Sequence, residues 1–556
     1  MTRYADMDFQ KLSELLFPYI DKTPDHYEEL FPKRDLADGA KVTRLGPSPT
    51  GFIHLGNLYG AFVDERLAHQ SDGIFYLRIE DTDDKRYVEG AVETIINSLD
   101  FFGIEFDEGA SLTGEKGNYG PYFQSKRGEI YRCFAKELVS RGLAYPCFLT
   151  EEELSAIRKE QEQNKETTGI YGKYAEKNRN LTFEEIESKI KDGIPYVVRL
   201  RSSGTPGKDA KHIEVNDAIR GTLSMPENFQ DVIILKSTGI PTYHFAHVID
   251  DHLMRTTHVV RGEEWLMSLP IHIELYEKLG LEPPVYCHTA QLLKLDGGNK
   301  RKLSKRKDAE LSLDYYRKKG YYPQAVKEYL LTILNSNFEE WRIENPDDDM
   351  NDFIFTTEKM NSGGALFDIN KLNDVSKDVL LRTSAKELCR FMTEWIREFK
   401  PNALKYFEGN EEYIEKILDL GRSGNKPRKD LIYASQIFDF ISYFLDDYFV
   451  IQDSIPEEVS DNDAAEILKR YLASYDHSDD QSAWFDKIRR IAEEMGYAAK
   501  PKDYKKNPDM YKGHVGHVST VIRIAVTGRS QSPDIWEIQQ ILGEERMKER
   551  IEMLIK

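Results

Sequence analysis

Apolar positions change their period several times along the chain, and those changes divide it. From Lys41 an extended VTRLG runs into a Pro-Ser-Pro-Thr-Gly turn, after which Leu58, Phe62 and Leu67 recur near helical spacing from about Asn57 to His69. Gly73 restarts the chain into IFYLRI, a short aromatic and β-branched run. The acidic turn EDTD follows, then a helical stretch carrying Val92, Ile95, Ile96 and Leu99. Strand alternating with helix predicts a parallel sheet, whose ligands bind beyond the carboxyl ends of its strands. The segments 47–57 and 80–83 lie at two such ends.

Between about 130 and 235 the pattern differs. A helix is expected over KRGEIYRCFAKELVSRG, then a highly charged stretch from Glu151 to Glu166, then short strands at YVVRLR and DVIILK. This reads as an inserted domain. PTYHFAHVID and THVVRG resume the alternation, with a helix from about Leu269 to Lys278, as the second half of the interrupted sheet. After about Asp308 almost every segment is helical in period, down to the terminal EERMKERIEMLIK. The first forty residues, with Pro24 and Pro32 among acids and aromatics, predict a short helical or irregular extension with no chemistry of its own.

A length of 556 residues suits about three or four domains. With 96 acidic and 76 basic residues the formal charge is −20, which excludes a wholly basic nucleic-acid coat protein but not local basic patches. Hydrophobic residues at 40% argue against a disordered chain, and no apolar run approaches bilayer length, so no membrane partner is expected. Cys133, Cys147, Cys287 and Cys389 have no short paired spacing, which argues against a disulfide scaffold. Acids stand in MTRYADMDFQ where a secretory signal would run basic and then apolar, so the expected location is the cytoplasm.

Two stretches carry candidate chemistry. In PSPTGFIHLGN, Pro47, Ser48, Pro49, Thr50 and Gly51 fix a sharp loop, His54 offers a hydrogen-bonding and potentially cationic ring, and Gly56 leaves a flat base room against the backbone. Asn57 then starts a helix, whose free amides and dipole favour phosphate. By itself this segment reads first as an ordinary strand-to-helix turn with a surface histidine. In GNKRKLSKRKD, six cations (Lys300, Arg301, Lys302, Lys305, Arg306 and Lys307) behind Gly297 and Gly298 suit a mobile loop closing on a polyphosphate. Taken alone, that run is a solvated basic turn or a nonspecific phosphate-backbone patch.

Together, HLGN at 54–57, with Leu55 and Gly56, and KLSKR at 302–306, with Leu303 and Ser304, resemble the HIGH and KMSKS signatures of class I aminoacyl-tRNA synthetases. TRLGPSPTGFIHLGN, LRIEDTD, GPYFQSKR, YVVRLR, PTYHFAHVIDDHL, HVVRGEEW, GGALFDINKL and AVTGRSQSP are similar to bacterial glutamyl-tRNA synthetases, over about residue 41 to the end. The resemblance implies a multidomain α/β plus all-α protein. A Rossmann-type parallel-sheet catalytic core would occupy 41–130 and 236–300, split by an α+β acceptor-end-binding insertion at 131–235. The KLSKR loop and stem-contact region would span 301–379 and an all-helical anticodon-binding region 380–556, behind an N-terminal extension at 1–40. It implies glutamate, ATP with Mg²⁺ and tRNA as reactants, a glutamyl-adenylate intermediate, release of pyrophosphate and AMP, tRNA binding before activation, and a monomer.

The same resemblance distributes roles. His54 would contact the ATP phosphates and Lys305 would stabilise the transition state, with Lys302 and Ser304 shaping their loop. Arg44 and Arg261 would hold glutamate carboxylates, Arg261 the side-chain one, while Glu80 takes the ammonium and Tyr243 and Ser48 add hydrogen bonds. An arginine fork pairs with a carboxylate through two donors and with an amide less well, which favours glutamate over glutamine. Gly56, Asn57, Glu264 and Trp265 would line the ATP side, and Leu292 and Leu293 would offer backbone groups to adenine. Without the motifs, Arg44 or Arg261 reads as a salt-bridge partner and Glu80, Asp81 and Asp83 as a turn cluster.

Two positions depart from the family pattern: His247, which the resemblance places among the glutamate-binding residues, stands where asparagine is common, and Gly46 where alanine is common. Cys147 is followed by Leu149 where some relatives complete Cys-x-Cys, so no structural zinc is expected. Basic clusters available to tRNA are Arg422, Lys426, Arg428 and Lys429, and Lys500, Lys502, Tyr504, Lys505, Lys506 and Lys512. Glutaminyl-tRNA synthetases end in β-barrels where this chain reads as helices, and a truncated relative lacks that region. The remaining alternatives are an enzyme that also glutamylates glutamine tRNA and a catalytically silent tRNA-binding paralogue.

Overall fold

The computed structural model describes residues 7–50, 53–83, 86–422 and 427–555. Backbone proximity divides the chain into two units: residues 1–315 with 330–368, and residues 316–329 with 369–556.

The first unit opens with α1 (Phe9–Leu16) and α2 (Pro24–Leu30). Asp8 caps α1 by accepting the Lys11 amide at 3.0 Å. Leu12, Leu16, Phe17, Tyr27 and Phe31 are buried, each contributing about 1.5–3 kcal/mol of hydrophobic stabilisation. Glu28 accepts from His252 at 2.5 Å and Arg255 at 2.7 Å, and Arg34 forks onto Glu108 at 2.8 and 3.0 Å. The extension is thus a packed part of this unit.

The strands β1 (Val42–Leu45) and β2 (Ile74–Leu77) are parallel, joined by α3 (Leu55–His69). After α4 (Ala91–Phe101), β3 (Glu108–Ser111) adds parallel to β2 and β4 (Gly114–Lys116) returns antiparallel. The helix α5 (Gly128–Ser140) leads into an antiparallel sheet of β5 (Ala144–Cys147), β6 (Val197–Leu200) and β9 (Ile233–Leu235). Between β5 and β6 run α6 (Glu151–Gln163), α7 (Lys173–Arg179) and α8 (Phe183–Lys191). Capping boxes at Thr150 and Thr182 start the first and third of these.

A hairpin of β7 (His212–Asp217) and β8 (Gly221–Pro226) leaves that small sheet and joins another. Following α9 (Tyr243–Leu253), the parallel pair β10 (His258–Gly262) and β11 (Val285–Thr289), linked through α10 (Leu269–Leu279), accepts β7 at Tyr286–Asp217. Val42 and Thr257 exchange hydrogen bonds of 2.8 and 2.9 Å, tying β1 to the residue preceding β10. The two parallel halves therefore meet along one edge, as the interrupted alternation predicts.

Two expectations change. The helix after the proline loop starts at Leu55, before Asn57, because the Asn57 side chain folds back to accept the His54 amide at 3.1 Å. The basic run begins in regular structure: β12 (Leu292–Asp296) and β13 (Asn299–Lys302) form an antiparallel hairpin through Gly297 and Gly298, both with positive φ, and β14 (Ala365–Leu366) adds parallel to β12.

From residue 369 onward the regular elements of the second unit, among its described residues, are all helices. Met392, Ile396, Ile437, Phe438, Ile467, Ile488, Val521, Ile522 and Ile551 are among its buried core. No helix among the described residues is long and apolar enough to cross a membrane.

Candidate active site

A cavity of about 700 Å³ opens at the carboxyl ends of β1, β2, β10 and β11. Arg44, Ser48, Glu80, Tyr243 and Arg261 line it together with His54, Gly56, Asn57, Glu264, Trp265, Leu292, Lys302, Leu303 and Lys305. Two motifs far apart in sequence thereby face one space. Pro47, Pro49, Thr50, Leu55, His247, Leu293, Ser304 and Arg306 do not line it, and Gly51 lies outside the described residues.

The non-lining residues mostly build the walls. The carbonyl of buried Pro47 accepts the Glu80 amide, and that of Pro49 the Val88 amide, both at 3.0 Å, fixing the loop against the strand-end turn. Leu55 is core at 0% exposure. The Leu293 carbonyl accepts the Phe367 amide at 2.7 Å, so sheet pairing uses it. Ser304 donates its amide to Asp308 Oδ2 at 2.9 Å and accepts the Asp308 amide at 3.0 Å, closing the KLSKR turn. Arg306 is exposed.

Asp308 also receives a fork from Arg301 at 2.6 and 2.8 Å, and Arg301 reaches Asp296 at 2.7 Å. These bonds hold the Asp308 carboxyl well below the usual carboxylate range, with the Arg301 hydrogen bonds foremost. Arg301 is therefore a clamp within its hairpin, and Lys302 and Lys305 carry the positive field into the cavity. Burial lowers the proton affinity of His54, and Lys305 and Lys302 lower it further. The potentially cationic ring thus favours its neutral form, in which it still donates one hydrogen bond.

The opposite wall is a closed ionic cluster. Asp251 is 1% exposed and accepts from Arg44 Nε at 3.1 Å and Arg78 Nη1 at 2.6 Å, while Arg78 Nη2 reaches Glu80 Oε1 at 3.0 Å. Burial pushes the Glu80 carboxyl upward against the pull of Arg78 and Arg44. The departure at Gly46 has a physical reason: a Cβ there would stand 2.4 Å from Glu80 Oε1, so its absence lets Glu80 turn back onto Arg78. His247, at 0% exposure, sits behind Arg44 at 3.3 Å and stacks on Tyr243 with centroids 5.5 Å apart. It supports the wall from outside the cavity. Tyr243 in turn lies 4.5 Å from the Trp265 ring.

Arg78 and Asp251 went unnoticed in the sequence, although both had a signal. Arg78 alternates with Glu80 in the extended run that continues from β2, and Tyr243, His247 and Asp251 recur every four residues on one helix face. Arg261 is held differently, by His288 at 2.9 Å and His272 at 3.1 Å, while its buried Nη2 has no hydrogen-bonding partner among the described residues. A buried cation without a paired carboxylate is costly, and a ligand carboxylate in the cavity would relieve it.

The basic clusters divide. Arg422 is half-buried and spends its guanidinium on the carbonyls of Leu380 and Thr383. Arg428 forks onto Asp430 at 2.6 and 2.7 Å, Lys429 approaches Asp378 at 3.8 Å, and Lys426 lies outside the described residues. Lys512 pairs with Asp463 at 3.0 Å, whereas Lys500, Lys502, Lys505 and Lys506 are exposed beside half-buried Tyr504. A smaller cavity of about 390 Å³ in the helical unit is lined by Trp484, Phe485, Arg489, Arg523 and Asp534, with the Arg489 guanidinium 4.7 Å from the Phe485 ring centre.

Residues 41–374 match the family described as tRNA synthetases class I (E and Q), catalytic domain, and residues 511–555 match an anticodon binding domain. A glutamate–tRNA ligase of Acetivibrio thermocellus is 63% identical, covering 99% of this chain and 100% of the relative. One from Clostridium perfringens strain 13 is 49% identical over 98% and 100%. The crystal structure of a glutamate tRNA ligase from Elizabethkingia meningosepticum in complex with its amino acid superposes with a TM-score of 0.74 at 28% identity, covering 93% of this chain and 99% of that one.

Proposed function

The chain belongs to the class I glutamyl-tRNA synthetases, and from that premise we propose how its own residues join glutamate to tRNA. The enzyme attaches L-glutamate to tRNA in two steps through glutamyl-adenylate. In the first, an α-carboxylate oxygen of glutamate attacks the α-phosphorus of ATP and pyrophosphate leaves. In the second, the terminal adenosine hydroxyl attacks the activated carbonyl and AMP leaves. The attacking carboxylate is already ionised, so no protein nucleophile is needed; positioning and charge stabilisation supply the catalysis.

In this reading ATP lies along His54, Gly56 and Asn57 with its phosphates toward the N-terminus of α3, and Lys302 and Lys305 meet the charge that develops on departing pyrophosphate. Glutamate lies between Glu80, for its ammonium, and Arg44 and Arg261, for its carboxylates, with Tyr243 and Ser48 bonding beside it. Magnesium, where it accompanies ATP, would offset part of the phosphate charge that Lys302 and Lys305 face. Family resemblance supports a cytoplasmic monomer. The observation that carries the reading is the shared cavity: His54 and Lys305 face the same space as the Arg44, Glu80 and Arg261 wall.

ATP–pyrophosphate exchange tests it. Exchange is expected only with glutamate and to require tRNA; tight tRNA binding with no exchange under any condition would leave a binding protein instead.

Two further outcomes follow from single side chains. Because burial raises the Glu80 carboxyl, acid removes the ammonium's partner at a higher pH than for a free glutamate side chain, so KM for glutamate rises as pH falls. Glu80→Gln is expected to raise that KM about tenfold and to flatten its acid rise. A variant with wild-type KM at every pH would remove Glu80 from the site. In the helical unit, Phe485 and Arg489 form a platform suited to an unstacked tRNA base, worth about 1–3 kcal/mol per base. Phe485→Ala is therefore expected to raise KM for tRNA about tenfold, with KM for ATP unchanged; filter-binding affinity equal to wild type would argue against a stacked base there.

A further inference from the structure

Among the described residues the Arg261 guanidinium hydrogen-bonds only to imidazoles. Its Nε donates to His288 Nε2 at 2.9 Å, its Nη1 lies 3.1 Å from His272 Nδ1, and the Tyr286 ring centre stands 4.7 Å from the guanidinium. Among the described residues no carboxylate pairs with it, although it is only 8% exposed. A carboxylate in either place would neutralise the guanidinium and compete with an anionic ligand. A neutral ring nitrogen aims it and leaves its charge available.

That arrangement works only if His288 offers a lone pair at Nε2, which requires its proton on Nδ1. Asp217 Oδ2 lies 2.7 Å from Nδ1 and accepts the His288 backbone amide at 3.0 Å. Asp217 Oδ1 accepts the amides of Ile219 and Arg220 at 3.0 and 2.9 Å. Both oxygens therefore face donors, and the tautomer of His288 is fixed from behind. The register that pairs Asp217 of β7 with Tyr286 of β11 brings this carboxylate under the strand end.

We propose that Asp217 and His288 are positioning residues for glutamate selection: the carboxylate holds the imidazole in the tautomer that receives Arg261, and so keeps an un-neutralised guanidinium turned toward the side-chain carboxylate of the substrate. This rests on the assignment of Arg261 to that carboxylate. The charged and titratable groups around His288 are Asp217 from β7, Arg261 from β10, the Tyr286 ring stacked at 5.7 Å on its own strand, and Arg220, which donates to the His288 carbonyl at 3.0 Å and pairs with Glu263 at 2.5 Å. Burial and the two guanidiniums favour neutral His288, against Asp217. Protonation would set an N–H against the Arg261 N–H.

Asp217→Asn puts an amide N–H against donors whichever way it turns. Facing His288, it reverses the tautomer and opposes two N–H groups across the Arg261 contact. In ATP–pyrophosphate exchange with tRNA present, KM for glutamate is expected to rise about tenfold, with kcat changed less than about threefold and KM for ATP unchanged, and preference for glutamate over glutamine falls about tenfold. His288→Gln keeps an acceptor for Arg261 independent of Asp217, so Asp217→Asn is expected to add nothing in that background. Should Asp217→Asn not fold, His288→Leu beside His288→Gln carries the test, with leucine losing selectivity and glutamine retaining it. An undiminished effect of Asp217→Asn in the His288→Gln background would overturn the relay, as would wild-type selectivity in both Asp217→Asn and His288→Leu. Arg261→Lys separates the two layers: unchanged glutamate KM and selectivity there would overturn the Arg261 assignment itself, whereas loss there without loss in the other variants overturns only the relay.

Discussion

Replacing Lys305 by alanine is expected to slow glutamyl-adenylate formation by about 10²–10³-fold, the cost of removing one preorganised charge from a developing anion. The lysine is presented from a turn that its neighbours hold rigidly. Leu303 is buried at 4% exposure, and Asp308 gathers Arg301 and the Ser304 amide. With Arg301 committed to that clamp, Lys302 and Lys305 are the cations of the run that reach the cavity. Rapid-quench measurement of adenylate, set beside filter binding of tRNA, distinguishes catalysis from anchoring. An equal loss of tRNA affinity would make Lys305 a phosphate-backbone contact.

Asp251→Ala is expected to cost about 3–5 kcal/mol of stability, because among the described residues it leaves buried Arg44 without a hydrogen-bonded carboxylate and buried Arg78 with Glu80 as its remaining one. Asp251 also reaches both ends of the proposed amino-acid site: Arg44 directly at 3.1 Å, and Glu80 through Arg78 by bonds of 2.6 and 3.0 Å. Glutamate KM should therefore rise together with the fall in unfolding midpoint. Urea denaturation with unchanged slope and a lowered midpoint is the expected result. An unaltered midpoint would mean that water already satisfies the two guanidiniums.

Much of this site was legible in the chain, and the exceptions have physical causes. The turn and helix around His54 and the KLSKR segment announce themselves through residue type at close spacing, and the β/α alternation places their loops at strand ends. The start of α3 at Leu55 precedes the position periodicity gives because Asn57 acts as a side-chain acceptor for His54, a local contact that periodicity does not report. The sign of a cationic run does not reveal which members are spent internally: Arg301 is paired with Asp296 and Asp308, and Arg422 is spent on carbonyls. The contact of Asp217 with His288 was illegible for a different reason. It depends on a register between β7 and β11, strands separated in the chain by three others and by the helices α9 and α10, and nothing local to NDAIRG or YCHTA encodes it.

The most direct test is a double-mutant cycle on single-turnover adenylate formation, using His54→Ala, Lys305→Ala and both together. If imidazole and ammonium act on one triphosphate, the combined loss falls short of the product of the separate losses by about fivefold or more, the mark of coupled groups. Losses that multiply to within about twofold would mean that the two side chains serve independent events.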